Sequence, residues 1–419
     1  MSKPFPKILP LREQARVVNE ILLHRLETVL PDVMRETGFD MWVIICNEDN
    51  HDPVFSTLIP WETWAPILQM LVFYDPGSGR AVERYNISLS YLNNFMTDRW
   101  NLSSPEDQWA ALRRLIEECN PRRIGINISE VIWAADGLTV ALYEKLKAIL
   151  GAELSSRLES AESLCIRWLE TRTQQELDLY THACAAAHAV IQQCFSREVI
   201  TPGITTPEDL RWHYWQTTTD LSLPVSFPPF FRKHRSKASA ERWGENDPVI
   251  RPGDLLHCDV GFKYLRLLTD HQEMAYVLLP GESDAPAGLK QGMAQANRLQ
   301  DIFTANWQQG LTGNAILTNA LAQARGEGLC QPKIYSHSLS FYLHEPGPLM
   351  GLPWEQVSCP GRGDVVMHYN TVYTVELSVT CPVAEWQNQE VTFALEQDAA
   401  FLPSGASYLD GRQTTLHLV

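Results

Sequence analysis

The sequence predicts a two-domain chain of mixed structure, an α/β domain followed by a larger α+β domain. Three observations carry this reading. The chain has 419 residues, near two or three domains at roughly 150 residues each. Helix-period and strand-period segments alternate through its first third. Beyond Pro252-Gly253 the pattern becomes mostly that of strands, so strands and helices are segregated there.

The first expected helix runs from Leu11 to Thr37. Ala15, Val18, Leu22, Leu26, Val29 and Val33 form its apolar stripe, and Gly38 suits a C-terminal stop. Met41–Cys46 reads as a buried strand and Met70–Tyr74 as another, stopped by Asp75-Pro76-Gly77. Ser103-Ser104-Pro105-Glu106 has the form of a capping box opening a helix that runs to Cys119. Ile124–Ile128 is a short strand, and Leu138–Leu150 a helix ended by Gly151. The domain boundary is placed between residues 165 and 166, giving domains of residues 1–165 and 166–419. Thr173-Gln-Gln-Glu176 is a second capping box, followed by an apolar stripe of Leu177, Tyr180, Cys184, Ala187 and Ile191. Thr205-Thr206-Pro207-Glu208 opens a further helix, and two more fall between Asp284 and Gly326.

Composition narrows the function. Hydrophobic residues make up 45% and charged residues 20%, values of a globular chain with material for sizeable cores. The formal charge is −16, which disfavours nucleic acid and anionic membrane surfaces as partners. No apolar run approaches the ~18–20 residues that span a bilayer. Met1 to Gln14 lacks the apolar core of a signal peptide, and nine scattered cysteines without a C-x-x-C read as reduced, mostly buried thiols. A cytoplasmic location is therefore expected.

The chemistry concentrates in acidic residues set in strands. If Asp254–Asp270 forms a hairpin centred on Tyr264 and Leu265, Asp259 and Asp270 face each other with Cβ atoms ~5 Å apart. Glu376 and Glu396 bracket a second hairpin centred on Trp386, with Glu390 competing as its carboxylate. Facing carboxylates in an apolar sheet repel and lose solvation, so they must share protons, pair with cationic side chains or bind cations. Two acidic hairpins in one domain point to a pair of divalent ions. Imidazole commonly completes such a site, and Tyr335–Pro346 offers His337 and His344, one as ligand and the other as proton donor.

These residues resemble the ligand set of the creatinase, aminopeptidase P, prolidase and methionine aminopeptidase superfamily. The matching segments are Gly253–Gly261 with the eleven-residue step to Asp270, His337 with His344-Glu345-Pro346, Thr374-Val-Glu376, and Glu396 with Gly405 nine positions later. The resemblance implies an α+β chain with a C-terminal pita-bread catalytic domain and a smaller creatinase-like α/β domain before it. It implies Asp259, Asp270, His337, Glu376 and Glu396 as metal ligands, and the Gly405 register favours Glu396 over Glu390. It further implies two divalent ions (Mn2+ first, with Zn2+, Co2+ or Fe2+ as alternatives) holding a bridging hydroxide. Glu376 then assists proton transfer, and His344 stabilises the tetrahedral intermediate or helps the amine leave. The resemblance also implies a small peptide substrate, cleaved as by an Xaa-Pro aminopeptidase or dipeptidase, and a homodimer.

Several positions depart from the family pattern. Gln272 and Glu273 stand where a Thr-Arg pair usually follows the second Asp. Arg242-Trp243 occupy the region of a substrate-facing His, Lys333-Ile334 replace His-Gly, and Ala394 replaces an Arg. The ligand set is intact while the substrate surroundings are rewritten. Two alternatives stay open: a same-fold enzyme acting on a small non-peptide molecule, as creatinase does without metal, and a non-catalytic binding protein. Arg232-Lys-His-Arg235 reads as a solvated loop in preference to a carboxylate anchor. Trp42, Trp61, Trp64 and Trp109 are assigned to core packing.

Overall fold

The computed structural model describes residues 5–77 and 79–419. The chain divides into two compact units, Pro10–Thr173 and Gln174–Val419, the second including the segment up to Leu9. This division lies eight residues beyond the position read from the sequence, because the helix Glu162–Glu170 goes with the first unit.

In the first unit, α1 (Leu11–Glu27) and α2 (Val29–Thr37) replace the single expected helix. Thr28 leaves helical geometry at φ −119°, and its hydroxyl donates to the His24 carbonyl at 2.8 Å. Gly38 ends α2 at φ 75°, a conformation that favours glycine. Six strands follow: β1 (Met41–Asn47), β2 (Leu68–Tyr74), β3 (Glu83–Asn86), β4 (Thr97–Asp98), β5 (Ile124–Ile126) and β6 (Leu158–Ser160). They form one sheet in the order β4-β3-β2-β1-β5-β6. The short helix α3 (Phe55–Leu58) precedes β2, and α4 (Gln108–Cys119) and α5 (Val140–Ser155) pack on the sheet through Leu112, Ile116 and Leu146. Asp107 caps α4 by accepting from the Ala110 amide, so the helix starts later than the Ser103–Glu106 box suggested. Gly151, at φ 70°, kinks α5 without ending it. Trp42 and Trp109 are core residues as assigned, whereas Trp64 is 75% exposed and Trp61 lies at the surface. The unit closes with α6 (Glu162–Glu170).

The second unit is a set of small sheets between two helix layers. It begins with α7 (Gln174–Cys194), α8 (Pro207–Asp220), strand β7 (Phe230–His234) and α9 (Lys237–Trp243). The predicted capping box of α8 is present, with Thr206 and Asp209 as its reciprocal pair. A hairpin of β8 (Leu255–Val260), β9 (Lys263–Tyr264), β10 (Leu267–Leu268) and β11 (His271–Tyr276) follows, then α10 (Ala287–Ala305) and α11 (Gly313–Gly326). The remainder is β12 (Lys333–Ile334), β13 (Thr371–Thr374), β14 (Leu377–Val383), β15 (Gln389–Leu395), β16 (Asp398–Leu402), β17 (Gly405–Tyr408) and β18 (His417–Leu418). Their sheets run β18-β11-β8-β7, β12-β14-β15 and β13-β16-β17.

Strand alternation divides the core in two. Met274, Tyr276, Leu377, Val379 and Phe393 pack with Met293, Leu299 and Phe303 of α10 and Leu317 of α11. Gly292 admits the Phe393 ring, since a Cβ there would lie 2.1 Å from it. Cys258, Val260 and Ala275, on the opposite face, pack with Val190 and Ile191 of α7 and Tyr214 of α8. All nine cysteines are free, seven of them buried.

Candidate functional site

Two hairpins and one crossing segment build the site. In the first hairpin β8 and β11 are antiparallel, with Val260 opposite His271 and Asp259 opposite Gln272. The turn is Leu265-Arg266, both in the left-handed region at φ 52° and 70°. This centre lies further along the chain than the sequence suggested, so Asp259 does not face Asp270 directly. The slip is two residues and strands alternate with period two, so Asp259 and Asp270 still share a face, on the diagonal. The second hairpin has the expected register: Leu377 pairs with Leu395, and continuing one step sets Glu376 opposite Glu396. Trp386 is buried at its turn. Glu390 pairs with Pro382 near the far end of the hairpin, is exposed and accepts from Gln331 at 2.9 Å, outside the cluster.

The two hairpins join at the site itself. Gln272 and Glu396 exchange both backbone hydrogen bonds, at 3.1 and 3.0 Å. Asp259, Gln272, Glu396 and Glu376 therefore form a row across four adjacent chain segments, with strand spacings of ~4.8 Å. The Gln272 side chain ties the row together. Its Nε2 donates to Glu376 Oε1 at 2.6 Å and to Glu396 Oε2 at 2.9 Å, while its Oε1 lies 2.9 Å from His257 Nε2.

His337 is brought in by the segment after β12. The Tyr335 and Leu339 amides bond to the Glu376 and Val372 carbonyls, and the His337 amide bonds to Thr374 Oγ1. His337 Nδ1 contacts the Ser338 carbonyl at 3.1 Å, which directs Nε2 toward Asp270 Oδ2 at 3.9 Å and Glu376 Oε2 at 4.0 Å. The ligand atoms of Asp270, His337 and Glu396 all lie within 4.8 Å of one another. The His344 ring is 4.5 Å from that of His337, centroid to centroid, and is itself exposed at the rim.

The electrostatics are those of crowded, desolvated acids. Burial, then the Asp259, Glu376 and Asp398 charges, push Asp270 well above the usual carboxylate range. Burial followed by neighbouring carboxylates does the same to Glu376 and Glu396, partly offset by Gln272. Asp259 is raised by burial to about 6, with Arg232 on β7 opposing the shift. Burial first and His344 second lower His337 to about 3, so its imidazole is neutral and able to ligate. Burial and Arg362 lower His344 as well. Asp270 Oδ1 and Glu396 Oε1 are buried without a hydrogen-bond partner among the described residues. Acceptor-only atoms, orphaned beside a neutral imidazole nitrogen, fit a divalent cation.

Other expectations require correction. Arg232 and His234 lie in strand β7, and Arg235 pairs with buried Asp254 at 2.7 Å and Asp247 at 3.1 Å, so the run is not a solvated loop. Arg242 and Trp243 line a cavity of about 500 Å³ with Gly253, Tyr276 and Glu282, at the opposite end of β8 from Asp259. Sequence reading missed a second polar cluster on the other face of β11. There His271 lies 3.9 Å from Asp398, which accepts from Cys184 and from the Asp270 amide. Glu273 pairs with His417, and His188 contacts Asp410 at 3.0 Å and Gln397 at 2.9 Å. Burial raises Asp398 to about 8. The alternation of His271 and Glu273 with Asp270 and Gln272 was the available signal.

Comparison with known proteins follows this geometry. The model of metallopeptidase family M24 matches residues 178–400. A search of curated protein sequences finds no match. The X-Pro aminopeptidase of Thermotoga maritima MSB8 superposes with a TM-score of 0.63 at 14% identity, over 93% of this chain and 100% of that one. The Xaa-Pro dipeptidase of Bacillus anthracis gives 0.57 at 16% identity, over 96% and 100%. The N-terminal domain of FACT complex subunit SPT16 from chickpea, Cicer arietinum, gives 0.58 at 11% identity, over 96% and 99%. Likeness at such identities establishes the fold alone.

Proposed function

The chain belongs to metallopeptidase family M24, within the creatinase, aminopeptidase P and prolidase superfamily with its pita-bread fold, and from that premise we propose that it hydrolyses an amide bond in small peptides as an Xaa-Pro aminopeptidase or dipeptidase. The observation that carries the reading is the cluster of carboxylates beside neutral His337, with Asp270 and Glu396 buried, Asp259 and Glu376 half-buried, and orphaned oxygens on Asp270 and Glu396. Asp259, Asp270, His337, Glu376 and Glu396 are the proposed ligands of divalent metal, with Mn2+ the first choice. Metal bound there supplies Lewis acidity and an activated water. Glu376, raised by burial and by Asp259, is placed to take up a proton during the reaction. His344, neutral and at the rim, can donate a hydrogen bond to the oxygen that gains charge or pass a proton to the departing amine. A cytoplasmic homodimer completes the proposal.

The test is hydrolysis of an Xaa-Pro panel by metal-replete protein, beside a working aminopeptidase. Release of the N-terminal residue is expected. No turnover across the panel would overturn the proline-peptidase reading in favour of a small non-peptide substrate.

A further inference from the structure

Gln272 lies in the row of carboxylates, opposite Asp259 on one side and Glu396 on the other. Its backbone is fixed on both sides, opposite Asp259 in β8 and bonded twice to Glu396. Its side chain is 4% exposed and makes three polar contacts. With both glutamates ionised, the amide nitrogen faces them and His257 Nε2–H donates to Oε1. These three hydrogen bonds lock the amide.

The bonds divide the carboxylate oxygens into two sets. Glu376 Oε1 and Glu396 Oε2 are taken by Gln272. Asp270 Oδ1 and Glu396 Oε1 are orphaned, and Glu376 Oε2 lies 4.0 Å from His337 Nε2. A cation on the His337 side can therefore use Asp270, His337, Glu376 and Glu396 while leaving Gln272 in place. A cation between Asp259 and Glu396 Oε2 would compete with the Gln272 amide for that oxygen and for the space beside it. Ligand oxygens stand ~2.0–2.2 Å from such ions, and the amide nitrogen already lies 2.9 Å from that oxygen.

We propose that this chain holds one divalent cation tightly, on the His337 side, and that the Gln272 amide takes the place of the second ion beside Asp259. The inference rests on the ligand assignment above and departs from the two ions that the family resemblance implies. Arg232 of β7, opposite His257, lies on the same face of the sheet as Asp259 and puts a cationic side chain on that side of the row. Displacing Gln272 would strand His257 Nε2 in the sheet, where it is buried. Losing satisfied buried hydrogen bonds of this kind weakens a second ion by about 10- to 100-fold.

The experiment is equilibrium titration of the full-length, metal-stripped protein with Mn2+, reading free Mn2+ and the bound signal by electron paramagnetic resonance. Wild type should bind one ion per chain with an uncoupled signal, the second binding at least ~10-fold more weakly. Gln272→Ala and the near-isosteric Gln272→Glu should each bind two, with a spin-coupled signal. Asp259→Asn should keep the tight ion, whereas His337→Ala should lose it. Two ions of equal affinity in wild type, or a second ion no tighter in either folded Gln272 variant, would overturn the inference and leave the peptidase reading standing. No bound ion at all would remove both.

Discussion

The side chains of residues 270 and 272 leave the chain on one face of β11, and those of 271 and 273 leave on the other. The first face looks onto Glu376, Glu396 and His337, where acids outnumber bases and two carboxylate oxygens have no partner among the described residues. The second face looks onto α7 and the C-terminal segment, where acids meet imidazoles, Glu273 with His417 and Asp410 with His188, and where Asp398 Oδ1 and both His271 nitrogens also lack a hydrogen-bond partner among the described residues. Both faces are polar, yet on the second each acid has an imidazole beside it, while on the first four carboxyl groups share His337. A cluster of titratable groups is thus not enough to indicate a metal centre. The number of carboxyl groups for each imidazole is the quantity that differs between the two faces.

That contrast can be broken most severely on the acidic face. Asp270→Asn should remove bound Mn2+ and lower kcat/KM by at least ~10³-fold, the scale of losing several kcal/mol of charge stabilisation. Elemental analysis and peptide hydrolysis read both effects, and an Asp259→Asn/Asp270→Asn double variant with full metal occupancy would sink the assignment. His344→Ala separates chemistry from ligation: it should keep its metal and lose ~10²–10⁴-fold in kcat.

The raised acids give a pH effect of defined sign. A buried acid with an elevated pKa keeps its proton in the folded chain after the unfolded chain has ionised. Metal-stripped protein should therefore lose stability as pH rises from about 4 through about 6 for Asp259 and about 8 for Asp398, each pKa unit being worth about 1.4 kcal/mol. Mn2+ should restore more stability at pH 8 than at pH 5, because ligands must lose protons to bind it. Scanning calorimetry at the two pH values, with and without Mn2+, tests this, and an equal metal-induced shift in Tm at both would contradict it.

On the balanced face, Glu273→Gln should cost about 1 kcal/mol, a fall of a few degrees in Tm, with Mn2+ binding retained. Glu390→Gln should be nearest to silent, with metal content and stability unchanged within error. Loss of metal from Glu390→Gln but not from Glu396→Gln would reverse the choice between the two.

The sequence exposed the acidic face better than the other because its signal is local. Asp259 and Asp270 lie eleven residues apart, and Glu376 and Glu396 share a hairpin, so counting from a turn brings each pair together. The first count slipped by two because Leu265 and Arg266 form the turn without the Gly or Asn that marks left-handed positions. The α/β half was legible from periodicity, while the pita-bread fold of the other half came from the resemblance of its motifs to a known family. The second face was not, since His188, His271, Asp398 and His417 come from four distant segments. Gln272 was noticed as a departure, but its three contacts depend on a junction between hairpins that no local pattern encodes.

The Leu265-Arg266 turn also restricts which length changes this segment can accept. Pairing continues from it through β9 and β10 to β8 and β11, and Gly261 has no room for a Cβ, which would lie 2.1 Å from the Thr269 carbonyl. Inserting or deleting one residue between Val260 and His271 would reverse the parity of one strand. Asp270 and Gln272 would then point into the helix layer, and His271 and Glu273 toward the carboxylates. Length changes here are compatible with the site only in steps of two, so the hairpin works as a ruler whose smallest usable division is a pair of residues.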